Sequence, residues 1–258
     1  MFLTPSPKQG RDFFMIRIIR KVIRWVLALF FSSTIMMVVA YRFIPVYITP
    51  LMVIRSIEQI KDGKSITWHH HWVPLDKMSK HLPVAAMEGE DAQFLTHHGF
   101  NYDAIKKAAE RNASKKKITR GGSTITQQPA KNVFVWPSRT WLRKGLETYF
   151  TVLIEFVWSK QRIMEVYLNS IEMGDGIYGV EAVAKEHFGC KASELTRSDC
   201  ALIAATLPNP RKFSSKNPSN YMVKRKVKIM KEMRFIPLFP KEGQDVDPRT
   251  VDGGIYKK

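Results

Sequence analysis

The chain opens with its strongest pattern. Trp25 to Tyr41 reads WVLALFFSSTIMMVVAY, 17 residues without a charge. The apolar register extends back through Ile16, Ile18, Ile19, Val22 and Ile23. A membrane span needs roughly 17–25 residues; counting from Val22, with Arg24 snorkelling, gives 20. Residues 22–41 are therefore expected to cross a membrane. A cleaved signal peptide would have a shorter apolar core ending at a small-x-small site; here Tyr-Arg-Phe-Ile-Pro follows, which favours an uncleaved anchor. Residues 43–54 are apolar again but broken by Pro45 and Pro50, and read as an interfacial segment. Residues 56–80 are polar and include Trp68-His69-His70-His71-Trp72, read as a linker or strand edge in preference to a metal site.

From Leu82 onward the spacing is helical. Apolar positions 102, 105, 108 and 109 predict a helix from Tyr102 to Asn112. The run from Leu142 to Asn169 repeats the same spacing, and Tyr178 to Phe188 predicts a short helix closed by Gly189. Thr196-x-x-Asp199 is a capping box before CALIAATL. A basic amphipathic helix is expected from about Tyr221 to Phe235. Alternating segments are few, so the fold class is mainly α.

Charge changes the picture next. Lys and Arg number 41 against 23 Asp and Glu, a net +18, which calls for a polyanionic partner: nucleic acid, an anionic membrane surface or a phosphorylated substrate. Lys8, Arg11, Arg17, Arg20, Lys21 and Arg24 precede the span, with Asp12 the sole acid; beyond it only Arg42 and Arg55 come before Lys61. That bias puts the N-terminus in the cytoplasm and the rest outside. Two cysteines exclude a disulfide scaffold, and free thiols at Cys190 and Cys200 are favoured over a bridge.

Four segments carry candidate chemistry. The first runs from Ala86 to Asn101 and holds Glu88, Glu90 and Asp91, followed by Phe94 and His97. Gathering carboxylates costs repulsion unless they are used; a solvated acidic helix end is the competing reading. The second, Arg120-Gly-Gly-Ser-Thr-Ile-Thr-Gln-Gln-Pro-Ala-Lys131, puts a glycine pair before hydroxyl residues. Free backbone N–H groups there suit an anion, against the plainer reading of a glycine turn with a Ser cap. The third, Arg143-Lys144-Gly145-Leu146-Glu147 through Asn169, includes an i,i+4 pair that would be worth a few tenths of a kcal/mol on a surface. The fourth is the glycine-rich turn Gly174-Asp-Gly-Ile-Tyr178-Gly-Val-Glu-Ala182.

In this order and spacing the four segments resemble family 51 glycosyltransferases, the peptidoglycan glycan polymerases. The family's motifs run EDxxFxxHxGxD, RGGSTITQQLxKN, RKxxExxxxxxxE with SKxxILExYLN, and GxGxYGxExAA. ALIAATLPNP at 201–210 resembles its fifth motif, so the likeness covers about residues 82–212. A single anchor without a second domain resembles the family's monofunctional members. Asn101 and Pro129 depart from the pattern.

The resemblance implies a lysozyme-like glycosyltransferase lobe with a small membrane-proximal jaw, preceded by one N-terminal transmembrane helix. The corresponding division is 1–21 cytoplasmic, 22–41 span, 42–81 membrane-proximal, 82–236 catalytic and 237–258 a basic tail. It implies lipid II as substrate, with the nascent glycan, membrane lipids and cell-wall synthesis proteins as partners, and no nucleic acid. Glu90 matches the catalytic base, expected to be ionised at neutral pH, and Glu147 the second essential carboxylate. Asp91, Phe94, His97, Arg120, Gly122, Ser123, Thr124, Gln127, Gln128, Lys131, Arg143, Lys144 and Tyr178 match substrate-binding positions. No cofactor is obligatory by this likeness; Mg or Mn is an optional activator. The segment near 95–120 would be the mobile part. Pro129 would fall in the second turn of a helix capped by Ser123, at a cost of up to about 3 kcal/mol, unless the helix begins later. On the first of these, Pro129→Leu should stabilise the domain.

Overall fold

A computed structural model of the chain describes residues 7–113, 122–138, 140–241 and 243–244. Arg120, and with it the end of the segment read as mobile, lies outside these residues, as does most of the C-terminal tail. The chain divides into two units, residues 1–44 and 45–258.

The first unit is one helix, α1 (Pro7–Phe43), of which Phe14–Phe43 is long and apolar enough to cross a membrane. Its polar SST triplet is self-satisfied. Ser32 and Ser33 donate to the carbonyls of Leu29 and Phe30 at 3.2 and 3.0 Å, and Thr34 donates to Phe30 at 2.8 Å. Back-bonding of this kind removes the cost of a bare hydroxyl in hydrocarbon.

The second unit begins with α2 (Pro50–Lys61). Thr49 caps it by accepting the Met52 N–H at 3.2 Å, and Pro50 takes the first turn, where no amide donor is needed. Leu51 and Met52 point inward, while Val53, Ile57 and Ile60 stay exposed. The histidine run supplies β1 (His69–His70), the outer strand of a small sheet ordered β1-β3-β2. β2 is Glu172–Gly174 and β3 is Ile177–Tyr178. β1 pairs parallel to β3, and β2 pairs antiparallel to it. His70 Nε2 lies 3.0 Å from the Asn169 carbonyl, and His69 Nδ1 3.1 Å from Glu186.

The glycines of the fourth segment are demanded by this sheet. Gly176 and Gly179 have φ of 73° and 80°, and a Cβ on them would meet the Thr67 and Asn169 carbonyl oxygens at 2.3 and 2.5 Å. Asn169 ties the same region together. Its amide donates to Val73 O at 2.9 Å and accepts from Val73 N at 2.9 Å.

The remaining helices form the core. α3 (His81–Glu90) packs on α9 (Arg197–Thr206) and α10 (Asn220–Glu232). α4 (Tyr102–Ala113) follows the predicted bounds closely. α5 (Gln127–Phe134) packs on α6 (Trp141–Val157) and α7 (Lys160–Ser170). The Thr196–Asp199 capping box is present as expected. Cys190 and Cys200 are both free.

Two predicted helices differ in detail. The run 142–169 is broken at Trp158, because Ser159 turns extended and caps α7 by accepting the Arg162 N–H at 3.2 Å. Apolar spacing continues across the break, so periodicity alone cannot reveal it. Tyr178 lies in β3, not in a helix; α8 (Val180–Val183) starts after Gly179 and passes through a π-helical turn, Ala184–Phe188, to Gly189 at φ 66°.

Pro129 also reads differently in place. α5 begins at Gln127, so proline occupies its third position, where the N–H has no partner within the helix. The penalty of about 3 kcal/mol for an interior proline does not arise. Pro129→Leu should therefore leave the thermal midpoint unchanged or slightly lower, the change staying under about 1 kcal/mol as unfolded-state freedom is regained. Thermal melts followed by circular dichroism would show this; a rise of several degrees would mean the proline is strained after all.

Candidate active site

Six of the thirteen residues matched to substrate binding are tied into the framework. Asp91, 6% exposed, closes α3 and accepts the Ile125 N–H at 3.0 Å and His97 Nε2 at 2.8 Å. One carboxylate thus fastens the first segment to the second. Phe94 is fully buried, with the Lys160 ammonium 4.5 Å above its ring and Phe239 stacked at 6.3 Å. Lys160 also donates to the His97 carbonyl at 2.7 Å and to Glu155 at 2.8 Å. Thr124 donates to the Gly99 carbonyl at 2.6 Å, and its N–H is taken by the Gln127 side chain at 2.9 Å. Tyr178 is 1% exposed beneath Trp68. Asp91, Phe94, Thr124, Gln127 and Tyr178 are all buried, and the contacts given above tie them to the surrounding fold. His97, held by Asp91, belongs to the same framework.

What this framework presents is a cleft of 540 Å³ whose walls include Arg55, Gln128, Lys131, Asn132, Arg143 and Glu172. Ser123 is exposed on the loop leading to α5, and Gly122 half-buried, with Ile105 Cα 3.4 Å from where a Cβ would stand.

Glu90, the last residue of α3, receives the Gln128 amide at 3.3 Å. Burial pushes its carboxyl up to about 7, against the pull of Arg225, the Gln128 hydrogen bond and Lys131. Burial thus works against the full ionisation at neutral pH that the sequence led us to expect. Tyr167 is fully buried next to this group, and burial, then Glu90 and Asp91, hold its phenol well above the usual range.

Glu147 sits in a different setting. It is 2% exposed, with Arg143 Nη1 at 2.6 Å and Lys144 Nζ at 2.5 Å, one cation for each oxygen. The i,i+4 pair is therefore buried on its acidic side and is not the surface pair that spacing alone suggests. Lys131 faces the same group. Burial lowers its pKa, Glu147 opposes that, and Arg143 and Lys144 add to it.

Both oxygens of Glu147 are occupied by side-chain cations, and among the described residues no three His, Cys, Asp or Glu side chains converge.

Sequence reasoning missed Arg225 of α10, Asn132, and the Arg55–Glu172 pair, in which Arg55 Nε lies 3.4 Å from Glu172 Oε2. Arg225 was visible only as one cation of a basic helix; packing of α10 on α3 is what brings it near Glu90.

The helical lobe thus carries one half-buried acid whose pKa is raised by burial and a second acid clamped by cations. Residues 57–234 match the sequence model of the family described as Transglycosylase, and the chain belongs to that family. Its helical unit is the family's lysozyme-like lobe. The chain is similar to the biosynthetic peptidoglycan transglycosylase of Bacteroides thetaiotaomicron, 54% identical over 237 residues that cover 91% of this chain and 94% of that protein. The proteins of the same description from Bdellovibrio bacteriovorus and Caulobacter vibrioides are 49% and 51% identical, covering 86% and 83% of this chain and 88% and 93% of theirs.

The raised Glu90 pKa has a consequence for stability. Its folded value, about 7, exceeds the ordinary 4.5, so between these values the folded state holds a proton that the unfolded chain gives up. The Glu90 contribution to stability is full below about 4.5 and is lost as pH rises through 7. Glu88, also pushed up to about 7 by burial and Glu232, acts in the same sense. Glu90→Gln should raise the melting temperature at pH 8 and change it little at pH 5, read by differential scanning calorimetry. An equal shift at both pH values would place Glu90 in ordinary solvent.

Proposed function

We propose that the chain polymerises glycan strands from lipid II, as a peptidoglycan glycosyltransferase. The observation that carries this reading is the division of labour between Glu90 and Glu147. One is a desolvated base with a pKa near the working pH; the other is locked among three cations. Glycosyl transfer from a pyrophosphate asks for that pair of environments. The acceptor hydroxyl must lose a proton, whereas the leaving group departs as a stable anion and needs positive charge, not a proton.

In the reaction, Glu90 takes the proton of the acceptor sugar's 4-hydroxyl. The oxygen attacks the anomeric carbon of the growing chain and forms the new glycosidic bond. The bond to the pyrophosphate breaks, configuration inverts from α to β, and polyprenyl pyrophosphate leaves with the electron pair. Lys131, Arg143 and Lys144 take up its charge, with the exposed Ser123 joining from the preceding loop; Arg120 is given the same task by the resemblance of its motif. Gln128 holds the Glu90 carboxylate in place, and Glu147 keeps the cations converged. The chain's own cations serve the leaving group, and Mg or Mn remains an accessory.

The basic N-terminal part of α1, from Lys8 to Arg24, supports a cytoplasmic N-terminus and a catalytic unit on the outer side of the membrane, where cell-wall synthesis proteins would be its neighbours. A reporter active only outside the cytoplasm, fused after residue 60, should be active; activity of a cytoplasm-only reporter there would reverse the orientation.

Labelled lipid II and the purified full chain, followed by gel separation of glycan strands, test the reaction. Glu90→Gln should cut polymerisation by about 10²–10⁴-fold while leaving lipid II affinity within a few-fold. Glu147→Gln should be severe through loss of cation alignment, and Lys131→Ala should weaken lipid II binding itself. Near wild-type strands from Glu90→Gln, or the same loss from Glu88→Gln alone, would remove Glu90 from the role of base.

A further inference from the structure

The connection from α5 to α6 alternates between residues that line the cleft and large apolar residues left in solvent. Val135, Pro137, Ser138 and Arg143 line the cleft. Between and beside them, Trp136 is 42% exposed, Trp141 93% and Leu142 68%. A single exposed apolar side chain needs no explanation. Three large ones on one short stretch, two of them immediately before a cleft cation, are a marked feature.

The position suggests the occupant. In a polyprenyl pyrophosphate, one C–O bond joins the anion to the first isoprene unit. Wherever Lys131, Arg143 and Lys144 hold the phosphates, the start of the tail must lie within a few bond lengths. A wall there has to offer apolar surface, or the tail stays in contact with water. Tryptophan suits such a boundary, having a broad apolar face and a polar N–H.

We propose that Trp136, Trp141 and Leu142 form a lip at the cleft mouth that receives the polyprenyl tail of the substrate. The lip rests on the lipid II reading and adds to it the part of the substrate that the charged groups do not recognise. It makes tail length a determinant of substrate capture.

Two measurements on the detergent-solubilised full chain test it. The first needs no catalysis. Titrating long-chain polyprenyl phosphate should shift tryptophan emission to the blue. The shift should shrink in Trp141→Phe, largely disappear in Trp136→Phe/Trp141→Phe, and persist in Trp72→Phe, whose ring lies instead against Arg162. No shift in the wild type, or an undiminished one in Trp141→Phe, overturns the lip whether or not the chain makes glycan. The second uses lipid II with long and short tails. The Trp141→Ser/Leu142→Ser variant should raise KM for the long tail about tenfold, with kcat and the short-tail KM within about twofold, since removing two apolar contacts costs roughly that factor. Trp141→Phe/Leu142→Ile should restore the low KM. An equal rise for both tails would assign these residues to the fold or to the bilayer and contradict the proposal, as would an unchanged long-tail KM. Wild-type protein that binds polyprenyl phosphate through Trp141 and yet makes no glycan would contradict the polymerase reading alone.

Discussion

The hydrogen bonds of Asp91 hold the site together. A carboxylate buried to 6% exposure accepts from the Ile125 backbone and from His97, and so binds the end of α3 to the loop that opens α5. Glu90 is the neighbouring residue, so its direction follows from that attachment. Gln128 and Lys131 lie on the helix that the loop begins, so their approach to Glu90 follows as well. A buried carboxylate with charge-assisted donors is costly to leave unpaired, which makes the connection stiff. The Lys160–Glu155–Thr126 group extends the same bracing to α6 and α7, with Thr126 donating to Glu155 at 2.5 Å.

The two catalytic candidates differ because their neighbours differ. Glu90 meets one amide at 3.3 Å and cations at longer range, so burial dominates and its proton is held up to about 7. Glu147 meets two cations at 2.6 and 2.5 Å. Chemically identical side chains thus stand in two different electrostatic settings, set apart by contact distance more than by depth. Around Glu147 positive charge is in excess, since this one carboxylate is set against Arg143, Lys144 and Lys131.

Much of this was legible from residue order. The uncharged run after Trp25 marked α1, the Thr196–Asp199 pair marked the start of α9, and the acidic, glycine-hydroxyl, Arg-Lys-Glu and glycine-rich segments marked the site. What sequence could not separate was lining from support. Phe94 and Thr124 sit in the motifs of Glu90 and Lys131, and Tyr178 in the glycine-rich one, yet all three face the core, because which side of a turn a side chain takes depends on packing partners far along the chain. Arg225 and Arg55 were hidden for the converse reason. Each is an ordinary basic residue locally, and only the docking of α10 and α2 brings it to the acids. The break at Trp158 escaped because apolar spacing runs through it, whereas a late start of α5 was one of two alternatives left open, because three hydroxyl residues precede Gln127, any of which could cap.

The central claim is that a desolvated Glu90 is the base. The pH dependence of kcat/KM for lipid II polymerisation by the wild-type chain tests it most directly, since that quantity reports ionisation of the free enzyme. The account predicts a rate that climbs with pH through a midpoint near 7, the value to which burial brings Glu90. A rate already level from about pH 5.5 upward would mean a base with an ordinary carboxylate pKa, and would contradict it.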